Sequence, residues 1–336
     1  MERLACFVIA HNLGDAVIQS GLVKRLVAGG YAQRYLVWTR PQVAFLFSDI
    51  PGCEIVGSQF PIGTDKQFGF RNALRFIGAV RQLRRLKPSV SIDFIGDQRD
   101  RWFGRLTGSQ RHEYIGWTPD HPFSKIIRNP FGTGRPTIVV PSTTPNIYAA
   151  YDLLIDALLQ GKASAAPVAL RRVEGERARR IGIHPFASQA CKLWPDERWG
   201  QLADKLLADG AEISVFGAPS ERPRLEKIFG GQLERIKVRT ESLARFAAAV
   251  AELDLMIGLD SFSVHMAHRQ GVPSIMINAC NDPRVWTPPT CTGLSESGGC
   301  DSYPCLNIPS CEGKVGEYAC VKAITVDAVL RTTLVQ

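Results

Sequence analysis

No apolar run in the 336-residue chain approaches the ~18 residues needed to cross a bilayer, so the sequence predicts no transmembrane helix. Met1-Glu2-Arg3 leads straight into a short apolar stretch at 4–10 with no small-residue cleavage site after it. That start argues against a secretory leader and for a cytoplasmic protein with reduced thiols. The nine cysteines include no Cys-x-x-Cys pair, the usual signature of a zinc knuckle. No Gly-x-Gly-x-x-Gly follows the first predicted strand, which disfavours a dinucleotide-dependent dehydrogenase. At 45% hydrophobic and 21% charged residues, the composition excludes disorder, a collagen-like repeat and a coiled coil.

What the chain has is length for two domains and an uneven charge. Residues 1–160 carry 19 Lys and Arg against 12 Asp and Glu, while residues 161–336 carry 21 against 20, so nearly all of the net +8 lies in the first half. A basic half fits nucleic acid, a membrane surface or an acidic small substrate, and charge alone does not choose among them.

Apolar runs at 4–10, 34–38, 54–56 and 89–94 alternate with helical periodicity from Asp15 and over 70–86, the latter studded with arginines. After a tract at 112–142 rich in Pro, Gly and aromatics and read as irregular, a helix is expected at 146–159. The charged segment 171–180 reads as a linker, giving an N-terminal domain over 1–165 and a C-terminal domain over 175–336. Strands at 181–184, 212–216, 253–257 and 274–277 then alternate with helices at 196–208, 221–229, 242–251 and 262–270. Two successive α/β units with parallel, doubly wound sheets follow from this order.

Ligands of such sheets bind beyond the carboxyl ends of the strands, so chemistry is sought in those loops. In Asn12-Leu13-Gly14-Asp15, the carboxylate of Asp15 either caps the following helix or stands ready as a base. In the 184–195 loop, Ser188 and Lys192 can face a phosphate, or Lys192 is a solvated surface lysine. Glu221 opens a helix and can accept from ribose hydroxyls or merely answer the helix dipole. Asp260-Ser261 precedes another helix whose N-terminal amides suit a diphosphate; His265, one turn in, is either a ligand-facing or a structural histidine. No Asp-x-Asp pair stands in these loops to hold a divalent cation.

In this order and at these separations the loops resemble glycosyltransferase family 9, the ADP-heptose:lipopolysaccharide heptosyltransferases. The resemblance rests on Gly14-Asp15, the segment from Ser91 to Gly108, Lys192-Leu193-Trp194-Pro195-Asp196-Glu197-Arg198-Trp199, Gly217 with Glu221, Asp260-Ser261 with His265, Gly271-Val272-Pro273 and Asn281-Asp282-Pro283. It implies a GT-B fold, two Rossmann-like doubly wound domains facing across a cleft, with acceptor on the first and nucleotide sugar on the second. It further implies inverting, metal-independent transfer of heptose from ADP-heptose to an anionic, lipid-linked inner-core acceptor at the inner-membrane surface. Asp15 would be the general base and Lys192 would neutralise the diphosphate. Ser188, Lys192, Glu221, Asp260, Ser261 and His265 would hold the donor, and Asn12, Arg99 and Arg101 the acceptor. No cofactor is implied for catalysis and no nucleic-acid partner. The chain departs from the family pattern at Phe186, Phe262 and 278–283, which leaves open a different nucleotide sugar as donor, or a catalytically silent relative that binds nucleotide or glycan within an assembly. The tail presents Cys300, Cys305, Cys311 and Cys320, either a zinc or iron site or a set of buried free thiols.

Overall fold

A computed structural model describes residues 3–62, 68–125, 127, 134–160, 170 and 179–333. The chain divides into two compact units, residues 1–167 and 168–336. Residues 171–178 of the expected linker, and the domain limits 165 and 175, lie outside the described residues, while the linker's last residue, Arg180, is the first of a strand.

The first unit runs β1 (Leu4–Ile9), α1 (Leu13–Ala28), β2 (Arg34–Thr39), β3 (Cys53–Gly57), α2 (Phe70–Leu86), β4 (Val90–Asp93), α3 (Gln98–Leu106), β5 (Arg111–Trp117), β6 (Ile138–Val140) and α4 (Ile147–Leu159). The second runs β7 (Arg180–His184), α5 (Asp196–Ala208), β8 (Glu212–Phe216), α6 (Arg222–Ile228), β9 (Ile236–Arg239), α7 (Leu243–Ala251), β10 (Leu255–Leu259), α8 (Phe262–Arg269), β11 (Ser274–Asn278), α9 (Pro283–Trp286), β12 (Cys291–Ser295), α10 (Ala319–Ala323) and α11 (Val326–Thr333). Their sheets are ordered β3-β2-β1-β4-β5-β6 and β12-β11-β10-β7-β8-β9, and all strand pairs are parallel. Each is therefore a doubly wound sheet of the order 3-2-1-4-5-6, whose direction of winding reverses between β1 and β4 and again between β7 and β10. A crevice opens beyond the strand ends at such a reversal, and ligands gather there.

Burial on both faces explains why β1 and β10 are unbroken apolar runs rather than alternating ones. In the first unit Trp38 centres an aromatic core, its ring 4.8 Å from Phe60, 5.3 Å from Phe76 and 5.9 Å from Phe103. In the second, Trp194 and Trp199 meet edge to face at 4.9 Å, and the Trp194 indole N–H donates to the carbonyl of Ile324 at 2.8 Å. That bond satisfies a buried polar group and ties the C-terminal segment to the β7–α5 loop.

The structure corrects the reading in three places. The tract 112–142 contains β5 and β6, not irregular chain alone. The strand expected at 253–257 is β10, shifted two residues along. The edge strands β9 and β12 were not anticipated.

Candidate functional site

In the first unit the chain leaves β1 through Ala10, His11 and Asn12 and turns into α1. Asn12 is the exposed N-cap residue in extended conformation, and its backbone N–H donates to the Asp15 carboxylate at 3.3 Å. Asp15 thus caps its helix by a long contact while the residue stays half-buried at the helix N-terminus. Beside it, His11 Nε2 is paired with a carboxylate oxygen of Asp100 on α3; the two side chains are 15% and 1% exposed. Burial opposes the His11 charge, but Asp100, by charge and hydrogen bond, with Asp15 and Asp93 adding, lifts its pKa to about 9.

The β4–α3 turn fixes this acid-rich corner. Asp93 accepts from the backbone N–H of Ile95 at 2.7 Å and of Gly96 at 3.1 Å. Burial, reinforced by Asp100, nevertheless holds Asp93 well above the carboxylate range. Gly96 has φ +75°, and a Cβ there would lie 2.0 Å from the carbonyl oxygen of Ile115, so the turn admits only glycine. Asp97 then caps α3, accepting from the N–H of Arg99 at 2.9 Å.

The two arginines expected at the acceptor do not share one environment. Arg99 is engaged by Asp97 through Nε at 2.8 Å and Nη2 at 3.0 Å, whereas Arg101 is buried, its guanidinium 5.2 Å over the Tyr114 ring. The corner brings together Asn12, Asp15, Asp93 and Asp100 with His11. His11 and Asp100 were missed by sequence reasoning; the only signal was a histidine directly after the first strand.

In the second unit the reversal between β7 and β10 gathers residues from three loops. Lys192 Nζ donates to Asp260 Oδ2 at 2.8 Å and to the Asp260 carbonyl at 3.2 Å, and Asn281 Nδ2 donates to the same carboxylate oxygen. The lysine and aspartate side chains are 13% and 6% exposed. Burial works against both charges, yet each holds the other ionised: the Asp260 carboxylate raises the Lys192 pKa, and Lys192, Asn281 and His265 depress that of Asp260. Lys192 is therefore no solvated surface lysine. Asn281, to which the sequence assigned no role at the site, joins the expected pair.

Ser261 is the N-cap residue of α8, its hydroxyl 3.1 Å from that of Ser263. His265 is buried one turn into α8, and burial pushes its pKa down to about 4, so it is neutral near pH 7. Ser188 is exposed in the β7–α5 loop. Glu221 accepts from the backbone N–H of Ala218 at 2.7 Å and so closes its own turn, the dipole-answering role. Gly217 permits that turn, since a Cβ there would meet the Phe186 ring at 2.8 Å and Glu221 Oε2 at 3.2 Å. Phe262 turns its ring to His184 and Phe246, both at 5.1 Å, within an aromatic cluster.

Two cysteines flank this network. Cys191 precedes Lys192 and Cys280 precedes Asn281, both are buried, and their sulfurs lie 3.3 Å apart. In the tail, Cys300, Cys305 and Cys311 are half-buried and Cys320 is buried in the core of the unit. Among the described residues no three His, Cys, Asp or Glu side chains converge as a metal-ligand set, and the four tail cysteines are free thiols. Nor is any helix among the described residues long and apolar enough to cross a membrane.

Comparison with solved structures places both units in one known architecture. A family 9 glycosyltransferase from Veillonella parvula superposes with a TM-score of 0.68 at 16% identity, over 100% of this chain and 99% of that one. The ADP-heptose lipopolysaccharide heptosyltransferase II of E. coli gives 0.66 at 16% identity over 99% of each chain. The E. coli heptosyltransferase WaaC, solved with ADP-2-deoxy-2-fluoro heptose, gives 0.67 at 14% identity over 98% of each. No curated protein matches in sequence. The model of glycosyltransferase family 9 (heptosyltransferase) matches residues 151–315, a span that holds Ser188, Lys192, Glu221, Asp260, Ser261, His265 and Asn281. By that match residues 151–315 are similar to glycosyltransferase family 9 (heptosyltransferase), and both units share the fold of the solved structures named above.

Proposed function

We propose that the protein transfers heptose from ADP-heptose to an anionic, lipid-linked inner-core sugar of lipopolysaccharide, with inversion and without a metal ion. The observation that carries this reading is the buried Lys192–Asp260–Asn281 network at the winding reversal of the second unit, inside the span matched by the family model. The E. coli relatives named for ADP-heptose and solved with an ADP-heptose analogue support the choice of donor.

In this mechanism Asp15 accepts the proton of the acceptor hydroxyl as its oxygen bonds to the anomeric carbon. The bond from that carbon to the diphosphate oxygen breaks on the opposite face, and ADP leaves with the electron pair. Lys192 and the first backbone amides of α8 stabilise the charge growing on the diphosphate, a role that needs no metal. Asp260 keeps Lys192 charged in a site where burial would otherwise neutralise it. Ser188, Ser261 and His265 line the donor, Glu221 holds the ribose once its own turn yields the carboxylate, and Asn12 with Arg99 and Arg101 orients an anionic acceptor. A water-soluble version of the acceptor replaces the membrane-bound one for assay.

A second reading, a silent relative that binds nucleotide or glycan within an assembly, draws on one observation: Lys192 and Glu221 both already have partners within the chain. A thermal-shift series with ADP-, UDP-, GDP- and dTDP-sugars, followed by a transfer assay with the best binder, separates the two. Stabilisation selective for ADP-heptose together with a transferred heptose of inverted anomeric configuration supports the first reading; selective binding without transfer supports the second, and a best response to another nucleotide sugar overturns the donor.

A further inference from the structure

The excess charge of the first half is concentrated on one helix. Residues 70–87 contain Arg71, Arg75, Arg81, Arg84, Arg85 and Lys87 and not a single acid. Folding uses one side of α2: Phe76, Ala79 and Leu83 are buried in the aromatic core. On the roughly opposite side, at the i, i+4, i+7 spacing of one helix face, Phe70 is 78%, Leu74 53% and Ile77 44% exposed. Arg81 and Arg85 continue that face toward the C-terminus, both exposed. Trp102 of α3, half exposed, extends the apolar end by stacking on Phe76 at 6.4 Å. Arg84 donates to the Leu106 carbonyl, but Arg71, Arg75, Arg81 and Arg85 have no acidic partner among the described residues.

We infer that the outer face of α2, with Trp102, docks on an anionic lipid bilayer. Large apolar side chains ringed by arginines on a helix of low overall hydrophobicity describe an element that lies in the headgroup region and does not span the membrane. Phe70, Leu74, Ile77 and Trp102 would enter the acyl boundary while the guanidiniums meet lipid phosphates, which they can do bidentately. Charge complementarity selects this occupant over a second copy of the chain, because a two-fold contact would set this acid-free basic face against itself. Against nucleic acid stand Leu74 and Ile77, aliphatic side chains on which bases do not stack; Phe70 and Trp102 do offer rings, so the duplex-DNA arm of the test below separates the two occupants. The inference rests on the lipid-linked acceptor proposed above and names the surface that would bring the enzyme to it.

The test is co-sedimentation of the full chain with vesicles of phosphatidylcholine alone or containing about one-third phosphatidylglycerol. Binding to the anionic vesicles is expected to be at least about tenfold tighter and to weaken when salt rises from ~0.1 to ~0.5 M. L74E/I77E and R81E/R85E, checked for folding by circular dichroism, should each weaken it about tenfold or more. Transfer to a water-soluble acceptor fragment should be unchanged in both variants. Vesicle binding equal in wild type and variants overturns the docking face. So does a concentration-dependent dimer that L74E/I77E abolishes, or retention on duplex DNA in place of vesicles. Vesicle binding with no transfer by the wild type would overturn the proposed reaction while leaving the docking face in place.

Discussion

His11 and Asp100 show how one pair of residues gives the first unit a pH dependence of its own. Unfolded, the imidazole titrates near its ordinary 6.5; folded, it titrates near about 9. Below about 6.5 the ring is protonated in both states and the ion pair contributes fully. As pH rises from there to about 9, the unfolded chain gives up the proton that the folded chain retains, so the contribution declines and is gone above about 9. A shift of this size corresponds to at most about 3 kcal/mol. Chemical denaturation followed across that window should show stability falling with pH, and His11→Gln should flatten the fall. An unchanged slope in the variant would mean that another group titrates there. Lys192 and Asp260 behave differently, because their shifts run outward from neutrality. The raised lysine holds its contribution until strongly alkaline pH and the depressed aspartate holds its own until strongly acid pH, so this pair leaves stability near pH 7 flat.

At the scale of elements, the β4–α3 turn is the most exacting local structure in the first unit. Asp93 takes two backbone N–H groups, Gly96 occupies the left-handed region against the Ile115 carbonyl, and Asp97 caps the next helix. Gly96→Ala must both strain φ and displace β5, at an expected cost of about 3 kcal/mol or more. The loss should appear as a lower denaturation midpoint, whereas Gly78→Ala in α2, where a Cβ meets open space, should be neutral or stabilising. What the sequence made legible follows the same physics. β1 and the centre of β11, Ile275-Met276-Ile277, are continuous apolar runs because both faces are covered, and they announce themselves. β5 begins Arg-His-Glu, and its polar side chains find partners only in the folded sheet: His112 with Ser91, and Glu113 accepting from the hydroxyl of Thr137. Neither alternation nor an apolar run marks such a strand. β9 is a four-residue edge, Ile-Lys-Val-Arg, too short for its alternation to be distinguished from loop. The exposed apolar side of α2 was equally hidden, since a wheel of Phe, Leu, Ile and Arg does not say which of its apolar stripes the core will take.

For the whole molecule, the two sheets repeat one winding, and chemistry-bearing residues stand at the reversal in each. The placement of Asp15 and Lys192 beyond the strand ends was legible because each stands in a short motif after a strand; that of His11, Asp100 and Asn281 beside them was not, because only the fold brings them to those motifs. The division of labour proposed between the units has a kinetic consequence. Asp15 acts only as the acceptor oxygen attacks, so Asp15→Asn should lower kcat by about 100-fold or more while leaving ADP affinity within about twofold. Lys192 meets the diphosphate in ground and transition states alike, so its loss should weaken ADP binding about tenfold or more and lower kcat as well. Lys192→Met alone would strand a buried Asp260 carboxylate, a defect expected to cost about 3–5 kcal/mol. The informative variant is therefore Lys192→Met with Asp260→Asn, which removes both charges and should remain folded. Calorimetric titration with ADP and single-turnover transfer, run on the same preparations, give the two readouts. Weakened ADP binding in Asp15→Asn, or unaltered binding in the double variant, would mean that donor and base are not divided between the units as proposed.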